Sequence, residues 1–483
     1  MRCLAAAEEL SAYCGVIFTC GKTLWAFDVV IWFRSDWHSN GSVDPAMQLG
    51  GKRRRGAPDP ATTLSILTAA IGIFSLVITC LAAPAAWAIE ELVTEEDISD
   101  LLIPQMESHG KAEGRQWAVV PQLGYGPDTG PVVGVKFTHR NLLRTGITLD
   151  VDATYAALNN QQSHGIKIMQ PHLFGDRFLI TAYGKVRYDP EREFFGLGNN
   201  DRGPDPASTH AYQDMFGVLA LGWRLLPRVS LNFSVMFREV DIRHGDQRDD
   251  CGGLVPCPFT QDPASEGGFA GMPGVNGGKS NPLSLSLVWN DRDDITHPTR
   301  GWLVLVKASH TDKALWSNFE FTRVVGDAGY LYPWFDKRLV TGARLDGVWM
   351  DGPSGELPFW ELTDLGGADS LRGFFPRRFA GKKRLLINLE ARGLLKEFDF
   401  FNLWHVKLDG VLFGETGRVF LDSTEINHEF HAARPDIHYV SHLQYSYGGG
   451  LRIALSSALI ARIDVGFSEE EQGLVYLTFG ETF

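Results

Sequence analysis

Strict alternation of apolar and polar side chains is the feature that most limits how this chain can fold. From Gln116 to the last residue, runs of about 8 to 16 alternating residues are separated by turn residues. Period two predicts β-strands with one apolar face. Near the end of the chain, for example, Ile463 and Val465 alternate with Arg462 and Asp464. A soluble sandwich shows the same period, so alternation alone leaves a sandwich and a membrane barrel open.

The number and length of the runs favour a membrane barrel. There are sixteen, an even number, and their lengths suit tilted strands that need about 9 to 11 residues to cross a bilayer. The runs lie approximately at 115–124, 131–139, 145–158, 163–173, 177–189, 211–225, 228–241, 281–291, 301–312, 317–331, 337–349, 384–396, 404–415, 443–455, 458–467 and 473–483.

The connections between runs point the same way. Four long ones lie near 190–210, 242–280, 350–383 and 416–442. All four follow odd-numbered runs, whereas connections after even-numbered runs are short, which is typical of outer-membrane barrels. The chain also ends in a run, at Phe483, as a barrel does when its last strand pairs with its first. The sequence therefore predicts an all-β transmembrane antiparallel barrel of about 16 strands, and the mean hydropathy of −0.09 excludes a helical polytopic protein.

The beginning of the sequence has the layout of an export signal. Lys52–Arg55 is basic, an apolar stretch follows from Leu64 to Ala83, and Ala86-Trp87-Ala88 is a small-x-small cleavage site. A transmembrane anchor is the alternative, but the small and acidic residues that follow favour cleavage. We therefore expect residues 1–88 to be a dispensable upstream segment plus a signal peptide, with the true start at Met47.

Charge and cysteine content are clearer once residues 1–88 are set aside. The remaining 395 residues carry 38 basic and 52 acidic side chains, a net charge of −14, which would repel nucleic acid. Cys251 and Cys257 are the only cysteines left, and their short spacing in an exported protein predicts a disulfide in the fourth outer loop. A metal site would need further ligands, and the flanks supply only His244, so no metal is expected.

The inward faces of the predicted strands carry many polar side chains. They can be read as a functional site or as the solvated lining of a lumen, which is polar in porin-like barrels. These residues are Asp150, Asp152, Lys185, Arg187, Asn388, Glu390, Arg392, His405, Lys407, Asp409, Arg452, Arg462 and Asp464.

Two segments form a more specific pattern. The long connection before run twelve contains Leu371-Arg372-Gly373-Phe374, and run thirteen leads into Phe413-Gly414-Glu415-Thr416-Gly417. Here the sequence resembles the bacterial surface antigen superfamily, the BamA/TamA-like outer-membrane barrels. The resemblance implies that the sixth outer loop folds into the lumen and that Arg372 at its tip pairs with the acidic residue of the strand segment. That residue is Glu415, where the family has Asp, so the charge is kept on a longer arm.

The same resemblance extends from about residue 115 to 483. It covers Pro121–Tyr125 in the first strand, Phe195–Asn199 in the third outer loop, and Asp291–Asp294 with Pro298–Gly301 in an inner turn. The ending, with Phe479, Gly480 and Phe483, is similar to the family's carboxy-terminal signal that the assembly machinery reads.

The expected pairing has a physical reason. A loop of about 30 residues loses conformational entropy when its tip is ordered inside a barrel. An arginine on a carboxylate in a partly dehydrated lumen can contribute about 1.5 to 3 kcal/mol against that loss. Arg372 would then either pin a static plug or take part in gating, and the sequence leaves both open.

The segment ahead of the barrel departs from the family. Members that assemble or export proteins carry periplasmic POTRA domains there, but residues 89–114 form only a short acidic segment. We expect this segment to be a solvated periplasmic tail or a docking element. A periplasmic partner protein would then supply the missing POTRA-type function.

Three classes of function follow. The first is a barrel in the bacterial outer membrane that assembles or inserts outer-membrane proteins, or translocates protein or lipid, with outer-membrane lipids and an unidentified client as partners. The second is a gated or passive pore. The third, an enzyme, is disfavoured because nucleophile-elbow, zinc-protease and phosphate-loop motifs are absent from the sequence, and no cofactor is expected.

Overall fold

A sheet of antiparallel strands that closes on itself dominates the computed structural model. The structure describes residues 116–175, 177–199, 203, 205–246, 251, 256–263, 269–294, 297–353, 355–400, 404–421, 443–455 and 459–479. The predicted signal peptide (1–88), the acidic segment (89–114), Gly480 and Phe483 lie outside these residues.

Sixteen strands of the described residues build the wall. They are β1 (Trp117–Gly126), β2 (Gly130–Leu142), β3 (Ile147–Ala156), β4 (Gln162–Leu173), β5 (Phe178–Phe194), β6 (Ser208–Leu226), β7 (Val229–Arg243), β9 (Pro282–Asn290), β10 (Gly301–Thr311), β11 (Phe321–Trp334), β12 (Leu339–Asp351), β15 (Lys383–Phe400), β16 (Trp404–Phe420), β17 (Gln444–Leu455), β18 (Leu459–Phe467) and β19 (Leu474–Phe479). Three short strands lie in the connections: β8 (Gly277–Lys279), β13 (Thr363–Leu365) and β14 (Phe379–Gly381).

Helical structure in the described residues is limited to single 3₁₀ turns at Lys313–Leu315 and Phe359–Glu361. No helix there is long and apolar enough to cross a membrane.

Every wall strand pairs antiparallel with its neighbours in the chain, and β1 pairs with β19 at Tyr125 and Leu477. This last pairing closes the sheet. The prediction of a transmembrane antiparallel barrel with sixteen strands is confirmed.

The two faces of the wall have the polarity of a membrane barrel. Apolar side chains such as Leu285, Leu287 and Phe233 point outward and are about half exposed, whereas Asn232 and Asp214 point inward and are buried. A soluble sandwich would place its apolar face inside. The alternation that the sequence left ambiguous therefore belongs to a barrel with a lipid-facing belt.

Several strands are longer than the alternation predicts, and two of them extend five residues further toward the outer loops. Run five was expected to end at residue 189, but β5 continues through Pro190 to Phe194, because a register shift between Asp189 and Arg192 tolerates the missing proline N–H. Run thirteen was expected to end at residue 415, but β16 continues to Phe420. Both extensions reach into the outer loops and support them.

Counted in chain order without β8, β13 and β14, the odd-numbered strands of the wall end at one rim, which carries the long connections. Three of these connections pack together there. We call residues 195–207 loop three, 244–281 loop four, 352–382 loop six and 468–473 loop eight. Side chains from loops three, four and six meet inward-facing strand residues in one apolar cluster, which we call the cap. Its buried members are Phe194, Leu197, Ala207, Tyr212, Val240, Ile242, Phe269, Met272, Val275, Phe319, Phe321, Val348, Met350, Leu357, Phe359 and Trp360.

The orientation of the wall can be tested with one charge at two depths. Leu285→Arg places a cation in the lipid-facing belt of β9, where we expect a loss of about 2–4 kcal/mol in folding stability. His310→Arg, at the rim end of β10, should lose about 0–1 kcal/mol. Urea titrations in phospholipid bilayers would measure both variants, and equal losses would contradict the proposed depth of Leu285.

Candidate functional site

The tip of loop six lies inside the barrel. Leu371, Arg372 and Phe374 are completely buried. Leu371 and Phe374 pack in an apolar cluster with residues of β15 and β16, and the ring of Phe374 meets that of Phe379 edge to face, with the centroids 5.1 Å apart. The apolar side chains on both sides of Arg372 thus hold the tip against the wall.

Arg372 and Glu415 form a two-point contact. The Arg372 Nε donates to Glu415 Oε1, and the Arg372 backbone N–H donates to Oε2, each over 2.7 Å. The carboxylate therefore fixes both the side chain and the main chain of the tip. The longer arm of Glu reaches the tip with both oxygens engaged.

Two further carboxylates meet the same guanidinium. Arg372 Nη1 lies 3.1 Å from Asp464 Oδ2 and 3.3 Å from Glu390 Oε2. These acids come from β18 and β15, on either side of Glu415 on β16. Arg372 therefore ties loop six to three wall strands at once.

Two arginines from the wall balance the acids. Arg452 lies 2.7 Å from Asp464 and 3.2 Å from Glu390, and Arg462 Nε lies 3.3 Å from Asp464. Together with Arg372, three guanidiniums face three carboxylates in a fully buried cluster. We call these residues the tip network: Arg372, Glu390, Glu415, Arg452, Arg462 and Asp464.

Neutral side chains complete the shell of Glu415. Asn388 Nδ2 donates to Oε1 over 3.1 Å and also to the Ser370 carbonyl oxygen over 2.9 Å. Ser446 Oγ donates to Oε2 over 2.6 Å. With its bonds to Arg372, each oxygen of the buried carboxylate accepts two hydrogen bonds, which offsets the cost of its burial.

Phe413 forms the floor of the site. The Arg372 guanidinium carbon stands 3.4 Å from the centroid of the Phe413 ring, in a cation–π contact. The ring lies over Gly448 on β17, where a Cβ would overlap it. The missing side chain of Gly448 therefore makes room for the Phe413 ring.

Close backbone contacts hold the tip. A Cβ at Gly466 on β18 would overlap the Arg372 carbonyl oxygen, and one at Gly373 would overlap the Phe467 carbonyl oxygen. Gly417 makes similar room for Leu365 of β13. Small residues on both sides let the loop lie directly on the strand.

The last strands also bind the tip by hydrogen bonds. Ser468 Oγ donates to the Gly373 carbonyl over 2.6 Å, and the Tyr476 hydroxyl donates to the Phe374 carbonyl over 3.0 Å. Sequence reasoning did not single out Ser468 and Tyr476. In the sequence, both could have been recognised as hydroxyl side chains that face inward close to the end of the chain.

Other loops fasten loop six further out. Arg378 forms a fork on Glu470 of loop eight, with two bonds of 2.7 Å. Burial raises the pKa of the Glu470 carboxyl despite its bonds to this arginine. In loop three, the Gly198 N–H donates to the Ala380 carbonyl over 2.7 Å, and Asn199 Oδ1 accepts from the Val419 N–H over 3.1 Å.

The remaining predicted residues lie elsewhere. Cys251 and Cys257 are joined by a disulfide in loop four, and both are buried under the outer rim. Phe479 pairs with Ala461 in the wall. In the part of the chain that the structure describes, His, Cys, Asp and Glu form no group of three that could hold a metal ion.

The inward polar residues divide into groups. Asn388, Glu390, Arg452, Arg462 and Asp464 belong to the tip network or its shell, where they are buried in mutual ion pairs and hydrogen bonds rather than solvated. His405 and Lys407 instead form half-exposed pairs with acids of β15.

Comparison with known protein families identifies the barrel. Residues 141–483 match the model of the Omp85 superfamily domain. The chain belongs to the Omp85 superfamily. Together with the lipid-facing belt, this places the protein in the bacterial outer membrane, as the sequence predicts.

Solved structures share the fold. The barrel is similar to BamA from Haemophilus ducreyi lacking POTRA domains 1–3, with a TM-score of 0.54, 14% identity, and coverage of 76% of this chain and 70% of that one. It is also similar to CdiB from Escherichia coli, with a TM-score of 0.52, 13% identity, and coverage of 76% and 63%. No curated protein matches the sequence. At these identities the structural likeness concerns the fold alone.

The close approach of loop six to β18 can be tested with two glycines. We expect Gly466→Ala to displace the tip and to lower stability by about 1–3 kcal/mol, because the new methyl group overlaps the Arg372 carbonyl. Gly414→Ala, on β16, is the control because a Cβ there meets nothing within 4 Å. Protease cleavage within loop six and urea midpoints would report the difference. Equal behaviour of the two variants would show that the tip does not rest on β18.

Proposed function

We propose that this Omp85 barrel inserts or translocates a client, either an outer-membrane protein or a lipid, by opening between its first and last strands. We call the junction between β1 and β19 the seam, and the small number of residue pairs in it carries the proposal. Within the described residues, β1 and β19 share the single register pair Tyr125–Leu477, whereas β18 and β19 share six. Among the described residues this junction has fewer register pairs than any other between neighbouring wall strands, and a junction with fewer hydrogen bonds costs less to open.

A proline in β1 also supports opening between β1 and β19. Pro121 faces outward in this strand and has no N–H to donate to a ladder. Because β1 keeps continuous pairing with β2 from Trp117 to Gly126, parting of the seam would leave β1 attached to the rest of the wall.

The lumen itself is a poor route for a client. The tip network occupies its interior, and the cap joins loops three, four and six above it. A lateral path through the seam would leave the tip network and the cap in place. Lipids contact the outward belt throughout, and we further propose that a periplasmic partner protein delivers the client.

A reversible lock on the seam tests the proposal. Tyr125→Cys with Leu477→Cys places two thiols at the paired position, and oxidation should stop function in cells that depend on the protein. Addition of a reductant should restore it. The measurement is growth and outer-membrane integrity of such cells before and after reduction.

The matched control keeps the same first cysteine. Tyr125→Cys with Pro131→Cys joins β1 to β2 at a register pair that has no reason to open. Its oxidation should leave function intact. Full activity of the oxidised seam variant would contradict lateral opening.

A gated pore is the second candidate, since the lumen is polar and the buried Arg372 joins its plug to three wall strands. Arg372→Ala leaves Glu415, Glu390 and Asp464 with a missing partner, at a cost of about 3–5 kcal/mol for a broken buried pair. We expect the variant to show open current steps in planar bilayers where the native barrel is closed.

The control for this measurement is Arg243→Ala, which removes an exposed pair with Asp241 at the rim. It should keep the native conductance. A steady open pore in the native protein would favour the pore over a plugged barrel.

A further inference from the structure

A second segment enters the barrel from the opposite mouth. We call the connection between β9 and β10 the inner turn, and the structure describes its residues 291–294 and 297–300. Because β8 is not part of the wall, β9 is the eighth wall strand, and the inner turn lies at the mouth opposite the long loops. His297 Nε2 lies 3.1 Å from Asp409 Oδ2, and Arg392 Nη2 donates to the Pro298 carbonyl over 3.0 Å. Asp409 and Arg392 are inward-facing and buried.

These contacts join strands that are not neighbours in the wall. Arg392 lies on β15 and Asp409 on β16, and β11 and β12 separate those strands from β10 around the wall. The inner turn therefore reaches past two strands, inside the barrel, to contact β15 and β16. Loop six docks on β15 and β16 from the other mouth, so both inserted segments share the same two strands.

Asp293 gives the inner turn a rigid base. Its carboxylate accepts from the backbone N–H groups of Thr299 and Arg300, over 2.8 and 3.0 Å, and these two bonds fix the turn. The half-exposed Lys337 ammonium also lies 2.9 Å from this carboxylate, but such an ion pair adds little rigidity. Partial burial alone would raise the pKa of Asp293, but the bonds from Thr299 and Lys337 hold that pKa well below its ordinary value. A turn fixed in this way can transmit a displacement rather than absorb it.

One carboxylate stands between the two inserted segments. Glu390 Oε2 contacts Arg372 of the loop tip at 3.3 Å, and Glu390 Oε1 faces Arg392 Nε at 3.7 Å. Arg392 in turn holds the Pro298 carbonyl. A chain of contacts thus runs from the tip through Glu390 and Arg392 to the inner turn.

From this geometry we propose that the inner turn is a periplasmic latch that is energetically coupled to the tip of loop six through Arg392 and Glu390. Release of the turn on the periplasmic side frees Arg392 to draw Glu390 away from Arg372, and the tip loosens. Coupling is reciprocal, so a loosened tip also weakens the hold on the turn. The latch does not depend on the nature of the client.

Hydrogen exchange measured by mass spectrometry on the full chain in lipid nanodiscs tests the coupling. His297→Ala removes a contact with Asp409, which is not a member of the tip network. We expect exchange in residues 366–378 to become at least about five-fold faster, at the lower end of common coupling strengths. Arg392→Met should act in the same direction.

Lys337→Met is the matched control. It removes a half-exposed ion pair from the same inner turn and leaves the contacts with Asp409 and Arg392 in place. Such pairs contribute little, so exchange at the tip should not change. The reciprocal variant is Glu415→Gln, which should speed exchange in the inner turn while residues 147–173 of the opposite wall stay protected.

The outcomes decide the proposal. An unchanged tip in His297→Ala would overturn it, whether or not the turn itself is released. Equal acceleration by Lys337→Met would also overturn it, because the effect would then not pass through Arg392. Should Arg392→Met fail to fold, His297→Ala still decides, since it leaves all wall pairing intact.

Discussion

The need to pair every backbone amide that faces lipid governs this structure. Strands in a bilayer satisfy that need only when the sheet closes, so the chain must join β1 to β19 and turn its apolar side chains outward. Closure leaves an interior that inward-facing side chains and the inserted segments fill. The charges there are cut off from bulk water, and each must find a partner within the barrel.

The tip network answers this demand with three arginines and three acids. A cluster of this kind is sensitive to the loss of any member, because the remaining charges are buried and cannot be rehydrated without movement. Loop six supplies Arg372, which contacts all three acids, so these contacts form only when the loop is inserted. Plugging the lumen and pairing Glu415 with Arg372 are therefore the same event.

Much of this could be predicted from alternation and spacing. The sixteen strands and the long loops on one rim rest on periodicity, whereas the pairing of Arg372 with Glu415 is what the resemblance of two local segments to the bacterial surface antigen superfamily implies. The contributions of Glu390, Asp464 and Tyr476 could not be foreseen, because alternation shows which face a residue occupies and not which distant residue it meets. For the same reason the space that Gly448 leaves for the Phe413 ring could not be foreseen.

The hydrogen bond from Tyr476 to the Phe374 carbonyl has a consequence for how the protein is made. The two residues are 102 positions apart, and Tyr476 belongs to the last strand of the wall. Loop six precedes this anchor in the chain, so its tip cannot make all of its contacts until the carboxy-terminal strand has joined the wall. Seating of the tip is thus a late step of biogenesis, and a shortened chain would leave the plug without its final anchor.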